Sequence, residues 1–190
     1  MTSEKKELRK QIMESLGKIE KTVYEQDSYE IAESLYQDVK WKSAKTIGIT
    51  ISKFPEVDTY QIIRKAWEEG KRVAVPKCLP KEKSMVFRTL TRFDQLESVY
   101  YGLLEPKVEC TEEVQANEID LLIVPGLAYT IDGYRVGFGG GYYDRYLTKY
   151  DGYTVSLAFQ SQLVSHLPIE DHDLAVKKVI STNKIESLDE

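Results

Sequence analysis

The sequence has little of what would mark several common functions. Its two cysteines, Cys78 and Cys110, have neither the spacing of a zinc site nor that of a redox pair, and so few thiols fit a reducing compartment. Its two histidines, His166 and His172, match no metal motif. No apolar run approaches the roughly 18 residues of a membrane span. The opening MTSEKKELRKQ has no apolar signal core, so the expected compartment is cytoplasmic. Positive charge is not in excess. The net charge of −5 argues against non-specific binding to nucleic acid, which needs a basic surface. Internal repeats and low-complexity linkers are absent as well.

What remains is ordinary in bulk: 42% hydrophobic and 30% charged residues over 190 positions, enough for one domain spanning 1–190 with a substantial core. Leu8, Ile12, Leu16, Ile19 and Val23 fall on one stripe, predicting a helix over 3–21 with Ser3 as its cap. Lys5, Lys6, Arg9 and Lys10 crowd the positive end of that helix. They are either a solvated basic face or, for Lys5 and Arg9 one turn apart, cations that reach a polyanion. Ile31, Leu35 and Val39 predict a second helix over 28–40. The period then changes. TIGITIS (46–52) reads as a strand, 59–69 as a helix opened by Asp58 and closed by Gly70, and KRVAVP (71–76) as a second strand. This is a βαβ unit, hence parallel pairing. Further strands are expected over 85–90, 119–124, 153–159 and near 176–180, with short helices over 93–99, 111–117 and 142–149 and a connector over 101–106. The fold class is α/β, a mainly parallel sheet with helices on both faces and an N-terminal helical extension. Ligands in such sheets collect at the carboxyl ends of strands, where 53–56, 76–77 and 125–141 emerge.

Gly137, Gly139, Gly140 and Gly141 fall within five positions, after the strand IDLLIV and before a helix. Glycine disfavours helix and strand but lets backbone N–H groups approach a ligand. Strand, glycine loop and helix start suit an anion, usually phosphate, or else form a plain turn in which Asp144 favours the helix opening. Arg135 and Arg145 bracket the loop, and Asp144 could hold a metal ion. The run matches neither the P-loop nor the dinucleotide fingerprint.

The stretch PGLAYTIDGYRVGFGGGYYDRYL (125–147) resembles the signature of the 5-formyltetrahydrofolate cyclo-ligases, or methenyltetrahydrofolate synthetases: Pro-Gly after a strand, then Asp-Gly-x-Arg-x-Gly-x-Gly-x-Gly-Tyr-Tyr-Asp. KKELR at the first helix, Glu-Val-Asp-Thr at 56–59, Val-Pro-Lys at 75–77 and Asp173 fit in the same order, so the resemblance spans residues 5 to 173. It implies ATP-dependent, magnesium-requiring closure of 5-formyltetrahydrofolate to 5,10-methenyltetrahydrofolate, releasing ADP and phosphate. It implies ATP contacts from Lys5, Lys6, Glu7, Leu8 and Arg9 and from Arg135, Val136, Gly137, Phe138, Gly139, Gly140, Gly141, Tyr142 and Tyr143. Ile51, Glu56 and the 138–142 segment would meet the folate, Glu56 on the pterin N–H groups. Arg135 and Tyr142 would be catalytic, and Asp144 and Asp173 would hold Mg2+. Taken without the family, Glu56 is a turn carboxylate, Ile51 is core, and His172 is a surface histidine.

One departure matters. Many relatives carry Arg or Lys inside the glycine loop, where this chain has Phe138 and Gly140. Arg135, Arg145, Lys5 and Arg9 must then cover the phosphates, or Lys77 assists. Two other functions share the layout: a sugar-phosphate isomerase or acyl-transfer enzyme, for which Asp132 is the nearby carboxylate, and a non-catalytic module that sequesters nucleotide or folate. The expected partners are small molecules, ATP and 5-formyltetrahydrofolate, with no nucleic acid and no membrane.

Overall fold

A computed structural model of the chain describes residues 3–182 and the backbone of 185–187. Two helices come first, α1 (Ser3–Gly17) and α2 (Lys21–Gln37), then the short α3 (Val39–Ser43), β1 (Thr46–Gly48), α4 (Tyr60–Glu68), β2 (Arg72–Leu79) and β3 (Ser84–Thr89). There follow β4 (Leu96–Ser98), β5 (Leu104–Pro106), β6 (Glu113–Val114), β7 (Leu121–Ile123), β8 (Ala128–Tyr129) and β9 (Arg135–Val136). The chain continues through α5 (Tyr142–Leu147), β10 (Tyr153–Leu157), β11 (Lys178–Ile180) and β12 (Ile185–Ser187). Eight strands form the central sheet in the order β12-β11-β10-β7-β1-β2-β3-β6. The five from β11 to β2 are parallel. Antiparallel β12 closes one edge, and β3 and β6 close the other.

Alternation along the strands builds a core on each face. Val73, Val75, Leu121 and Ile123 join one apolar cluster with Ile12 and Leu16 of α1, Ile31 and Leu35 of α2, and Ile62 and Ile63 of α4. Ala74, Leu122 and Val124 point the other way, into a cluster with Tyr146 and Leu147 of α5. Helices therefore cover both faces, and the N-terminal pair lies on the sheet rather than apart from it. Ile31 and Leu35 are fully buried, each contributing about 1.5–3 kcal/mol. Among the described residues no helix is long and apolar enough to cross a membrane.

Several expectations are corrected. The second helix begins at Lys21, not 28, because its buried face runs through Tyr24 and Ser28, while Val23 and Val39 are exposed. It stops at Asp38, whose side chain turns to accept the N–H of Lys40 at 2.8 Å and opens α3. The helix expected over 93–99 is a single 3-10 turn followed by β4, and the connector over 101–106 contains β5. Together these form a hairpin. The helix expected over 111–117 is the edge strand β6 and a 3-10 turn. In each case two or three apolar residues at helical spacing also satisfy a short strand. α5 is six residues long, so little of the anticipated helix dipole stands behind the glycine loop. The strand β12 has no counterpart in the sequence reading.

Candidate functional site

β1 is short because its continuation leaves the sheet to build the site. Ser52 and Thr59 clamp the neck of the loop between them. The Ser52 N–H donates to Thr59 Oγ1 and the Thr59 N–H to Ser52 Oγ, each at 2.9 Å, while Thr59 Oγ1 donates to the carbonyl of Thr50 at 2.7 Å. Within the loop, Glu56 Oε1 accepts the Lys53 N–H at 3.1 Å, and Tyr24 of α2 donates to the Glu56 carbonyl at 2.7 Å. Asp58 accepts the Tyr60 N–H at 2.9 Å and opens α4. Burial pushes the Glu56 carboxyl up to about 7, against the pull of the Lys53 N–H and ammonium. Glu56 is thus a carboxylate fixed in place, short of donors, at the edge of a cavity.

That cavity, about 440 Å³, lies at the carboxyl ends of β1, β2 and β7, where the topology directs it. Thr50, Ile51 and Glu56 line one part, and Lys5, Arg9, Arg135 and Gly137 to Asp144 line another. Ile51 is buried at 7% exposure, and Phe138 is exposed at 53%. The glycine loop follows the β8–β9 hairpin, which the sequence reading did not contain. Gly139 and Gly141 have φ of 108° and 71°, open to glycine and strained for other residues. A Cβ on Gly141 would also come within 2.7 Å of Arg145 Nη1.

α1 reaches this loop from far away in sequence. Arg9 Nε donates to the carbonyl of Gly137 at 2.7 Å, and Lys5 Nζ lies 3.4 Å from Asp173 and 3.9 Å from Glu170. Lys6 and Glu7 do not line the cavity; they are exposed, and Leu8 packs on the core. Val136 is likewise turned into the core at 2% exposure. The side chain of Arg135 is only 3% exposed, and its Nη2 donates to Asp144 Oδ1 at 3.1 Å. Its Nε has no hydrogen-bond partner among the described residues. Arg145 donates to the Gly140 carbonyl at 2.9 Å and lies 5.1 Å from the centre of the Tyr142 ring. The Tyr143 hydroxyl is buried beside Thr50, and desolvation raises its pKa.

Lys77 does not serve the glycine loop. Its ammonium sits 3.7 Å from Glu97 and 3.5 Å from Glu105, the two strands of the β4–β5 hairpin. Glu105 also accepts the Cys78 N–H at 3.0 Å, so the hairpin is fastened to β2. This hairpin brings Leu103, Leu104 and Glu105 to the cavity, and β2 and β3 bring Cys78 and Met85. Burial and Glu105 push the Cys78 thiol up to about 12. Sequence reasoning missed all of these. The available signal was Tyr101-Gly102, both at positive φ, a turn that joins two strands.

Asp173 lies in the 170–173 turn, where it accepts the Glu170 N–H at 2.8 Å. Glu170, His172 and Asp173 each place a ligand atom within 4.8 Å of the others, although His172 belongs to no sequence motif. Asp132, the carboxylate an isomerase would need, is exposed in the hairpin turn and does not line the cavity.

Three comparisons with known proteins agree. A family model described as the 5-formyltetrahydrofolate cyclo-ligase family matches residues 1–182. The chain is similar to a 5-formyltetrahydrofolate cyclo-ligase of Escherichia coli K12, at 32% identity over 146 residues, 75% of this chain and 80% of that protein. It is 29% identical over 188 residues to a probable 5-formyltetrahydrofolate cyclo-ligase of Caenorhabditis elegans, covering 93% of this chain and 91% of that one. The NMR structure of Aquifex aeolicus 5,10-methenyltetrahydrofolate synthetase superposes with a TM-score of 0.86 at 27% identity, covering 98% of this chain and 93% of that chain. A Mycoplasma pneumoniae synthetase shares the fold at a TM-score of 0.76 and 21% identity.

Proposed function

Because the chain belongs to the 5-formyltetrahydrofolate cyclo-ligase family, we propose that it closes 5-formyltetrahydrofolate to 5,10-methenyltetrahydrofolate at the expense of ATP, releasing ADP and phosphate. The observation that carries this is one cavity with two chemistries. A desolvated carboxylate, Glu56, and the apolar Ile51 line one part, and the cations Lys5, Arg9 and Arg135 with the bare glycine loop line the other.

The formyl oxygen is a poor leaving group. Attack of that oxygen on the γ-phosphorus of ATP expels ADP and leaves a phosphorylated iminium carbon. The neighbouring folate nitrogen then adds to this carbon and loses its proton, and phosphate departs with the C–O electron pair. Such transfer asks the protein chiefly for positioning and charge neutralisation. Glu56 accepts from the pterin N–H groups and fixes the ring. Tyr142 offers it an aromatic face. Lys5, Arg9, Arg135 and the loop N–H groups between Gly137 and Gly141 hold the phosphates. With no cation inside the loop at Phe138 or Gly140, the charge arrives from α1 and from β9.

Mg2+ suits the donor set. Asp144 and Asp173 offer hard carboxylate oxygens. Asp144 has one oxygen engaged by Arg135 and a side chain 38% exposed. Bound there, Mg2+ would neutralise phosphate charge. Arg135 would hold Asp144 in place, as a carboxylate ligand is commonly held by a second hydrogen bond.

The test is to mix folded protein with ATP, Mg2+ and 5-formyltetrahydrofolate and to follow near-ultraviolet absorbance together with ADP. One ADP per methenyl product is expected. ADP without product, or no change at any pH near neutral, would overturn the assignment.

A further inference from the structure

Glu56, Thr50 and Pro125 line the large cavity and also a second, smaller one of about 30 Å³. That is room enough for a water molecule. Its wall is polar in part, since Thr59, Tyr129 and Gln162 also border it. Most of these groups are already committed. Thr59 Oγ1 accepts from Ser52 and donates to Thr50. Gln162 accepts from the Phe159 N–H at 2.9 Å and donates to the carbonyls of Gly126 and Leu127 at 3.3 and 3.1 Å. Glu56, Tyr129 and the Thr50 hydroxyl remain.

Tyr129 is 1% exposed and borders this cavity. Ser156 spends its single proton on the Val124 carbonyl at 2.7 Å and has none to give the tyrosine. The Tyr129 hydroxyl, with one donor and acceptor lone pairs, suits a water in the cavity. A water between Tyr129 and Glu56 would share a hydrogen bond with the tyrosine and donate to the carboxylate.

We propose that one buried water occupies this small cavity, oriented by Tyr129, and donates to the carboxylate of Glu56 from behind while substrate meets it from the large cavity. Tyr129 is then a positioning residue: it sets the charge state of Glu56 through the water. The groups facing Glu56 are Lys53 in its own loop, Tyr24 from α2, Tyr129 from β8 and Tyr143 from α5, with Arg135 acting on both of the last two. Of these, only Lys53 otherwise favours ionised Glu56 directly. A donated hydrogen bond from the rear keeps the group an acceptor at neutral pH.

Its functional meaning rests on Glu56 being the folate acceptor, but its test does not. In unliganded protein carrying 13C-labelled glutamate, with the Glu56 signal assigned by loss in Glu56→Gln, the titration of Glu56 is compared between parent and Tyr129→Phe. That change removes one oxygen and keeps the ring. The midpoint is expected to rise by about 1 pH unit, the loss of one hydrogen bond to a charged acceptor. The acid limb of kcat/KM for folate moves with it, and the KM for ATP stays unchanged. Coincident titrations in two folded proteins would overturn the proposal, as would a high-resolution crystal structure with no solvent density between Glu56 and Tyr129. Normal folate use by Glu56→Gln would instead overturn the folate reading and leave the water in place.

Discussion

Glu56→Gln separates stability from function in a way that the geometry makes quantitative. In the parent, the Glu56 carboxyl titrates at about 7 in the folded chain against an ordinary 4.5. Below pH 4.5 it is protonated in both states and costs nothing. Between the two values the unfolded chain has released its proton and the folded chain has not, so stability falls as pH rises. Above 7 both are ionised and the loss is complete. The difference between the two values corresponds to about 3 kcal/mol. The amide cannot ionise, and its oxygen can still accept the Lys53 N–H. The stability of the variant relative to parent should therefore grow by about 3 kcal/mol from pH 4.5 to 8, on the order of 6–12 °C in Tm for a chain of this size. Urea melts of the two proteins at several pH values measure it, and every other titrating group cancels in the difference. The same variant should lose folate turnover, because the amide presents a donor where the carboxylate presents an acceptor. Parallel stability curves across this pH range would refute the desolvation argument.

Asp144→Asn should cost about 1–2 kcal/mol without ligand, because the buried guanidinium of Arg135 loses its charged partner, and kcat should fall far more, with partial recovery at high Mg2+ concentration; thermal melts and Mg2+ titrations of activity check both. Arg9→Ala should raise the KM for ATP about 10- to 100-fold while moving the folate KM little, since it removes a charge-assisted phosphate contact; steady-state kinetics with each substrate varied would expose the reverse pattern.

Legibility in the sequence followed the range of the interactions. The parallel core was readable because Val73 to Val75 and Leu121 to Val124 are apolar runs bounded by turn residues. The glycine loop and Glu56 were readable because their letters are distinctive in order. The β4–β5 hairpin was not, since Phe93 and Leu96 have helical spacing and nothing local announces that Glu97 and Glu105 will meet Lys77. Nor could the sequence show that Lys77, a candidate phosphate cation, is spent on two carboxylates. Asp144 read as a metal ligand or a helix-opening carboxylate, and nothing local announced that Arg135 would engage one of its oxygens, a pairing set by the fold of the β8–β9 hairpin. Lys6, Glu7 and Leu8 entered the candidate site through the resemblance of the KKELR stretch, and helical geometry turns them away from the cavity.

The reach of α1 has a consequence for how the chain assembles during synthesis. Arg9 finds its partner 128 residues later at Gly137, and Lys5 waits 168 residues for Asp173. The neck of the loop carrying Ile51 and Glu56 is clamped by bonds within residues 50–59 and by Tyr24, and Cys78 is fastened by the β4–β5 hairpin. A chain emerging from the N-terminus therefore meets these local partners of the folate side before its first helix has a loop to dock on. Contacts of such separation form late, so the nucleotide side is finished last. In the completed fold, releasing the same helix would expose Ile12 and Leu16 but break no strand pairing. Limited proteolysis in the 17–20 linker would then cut ATP use first.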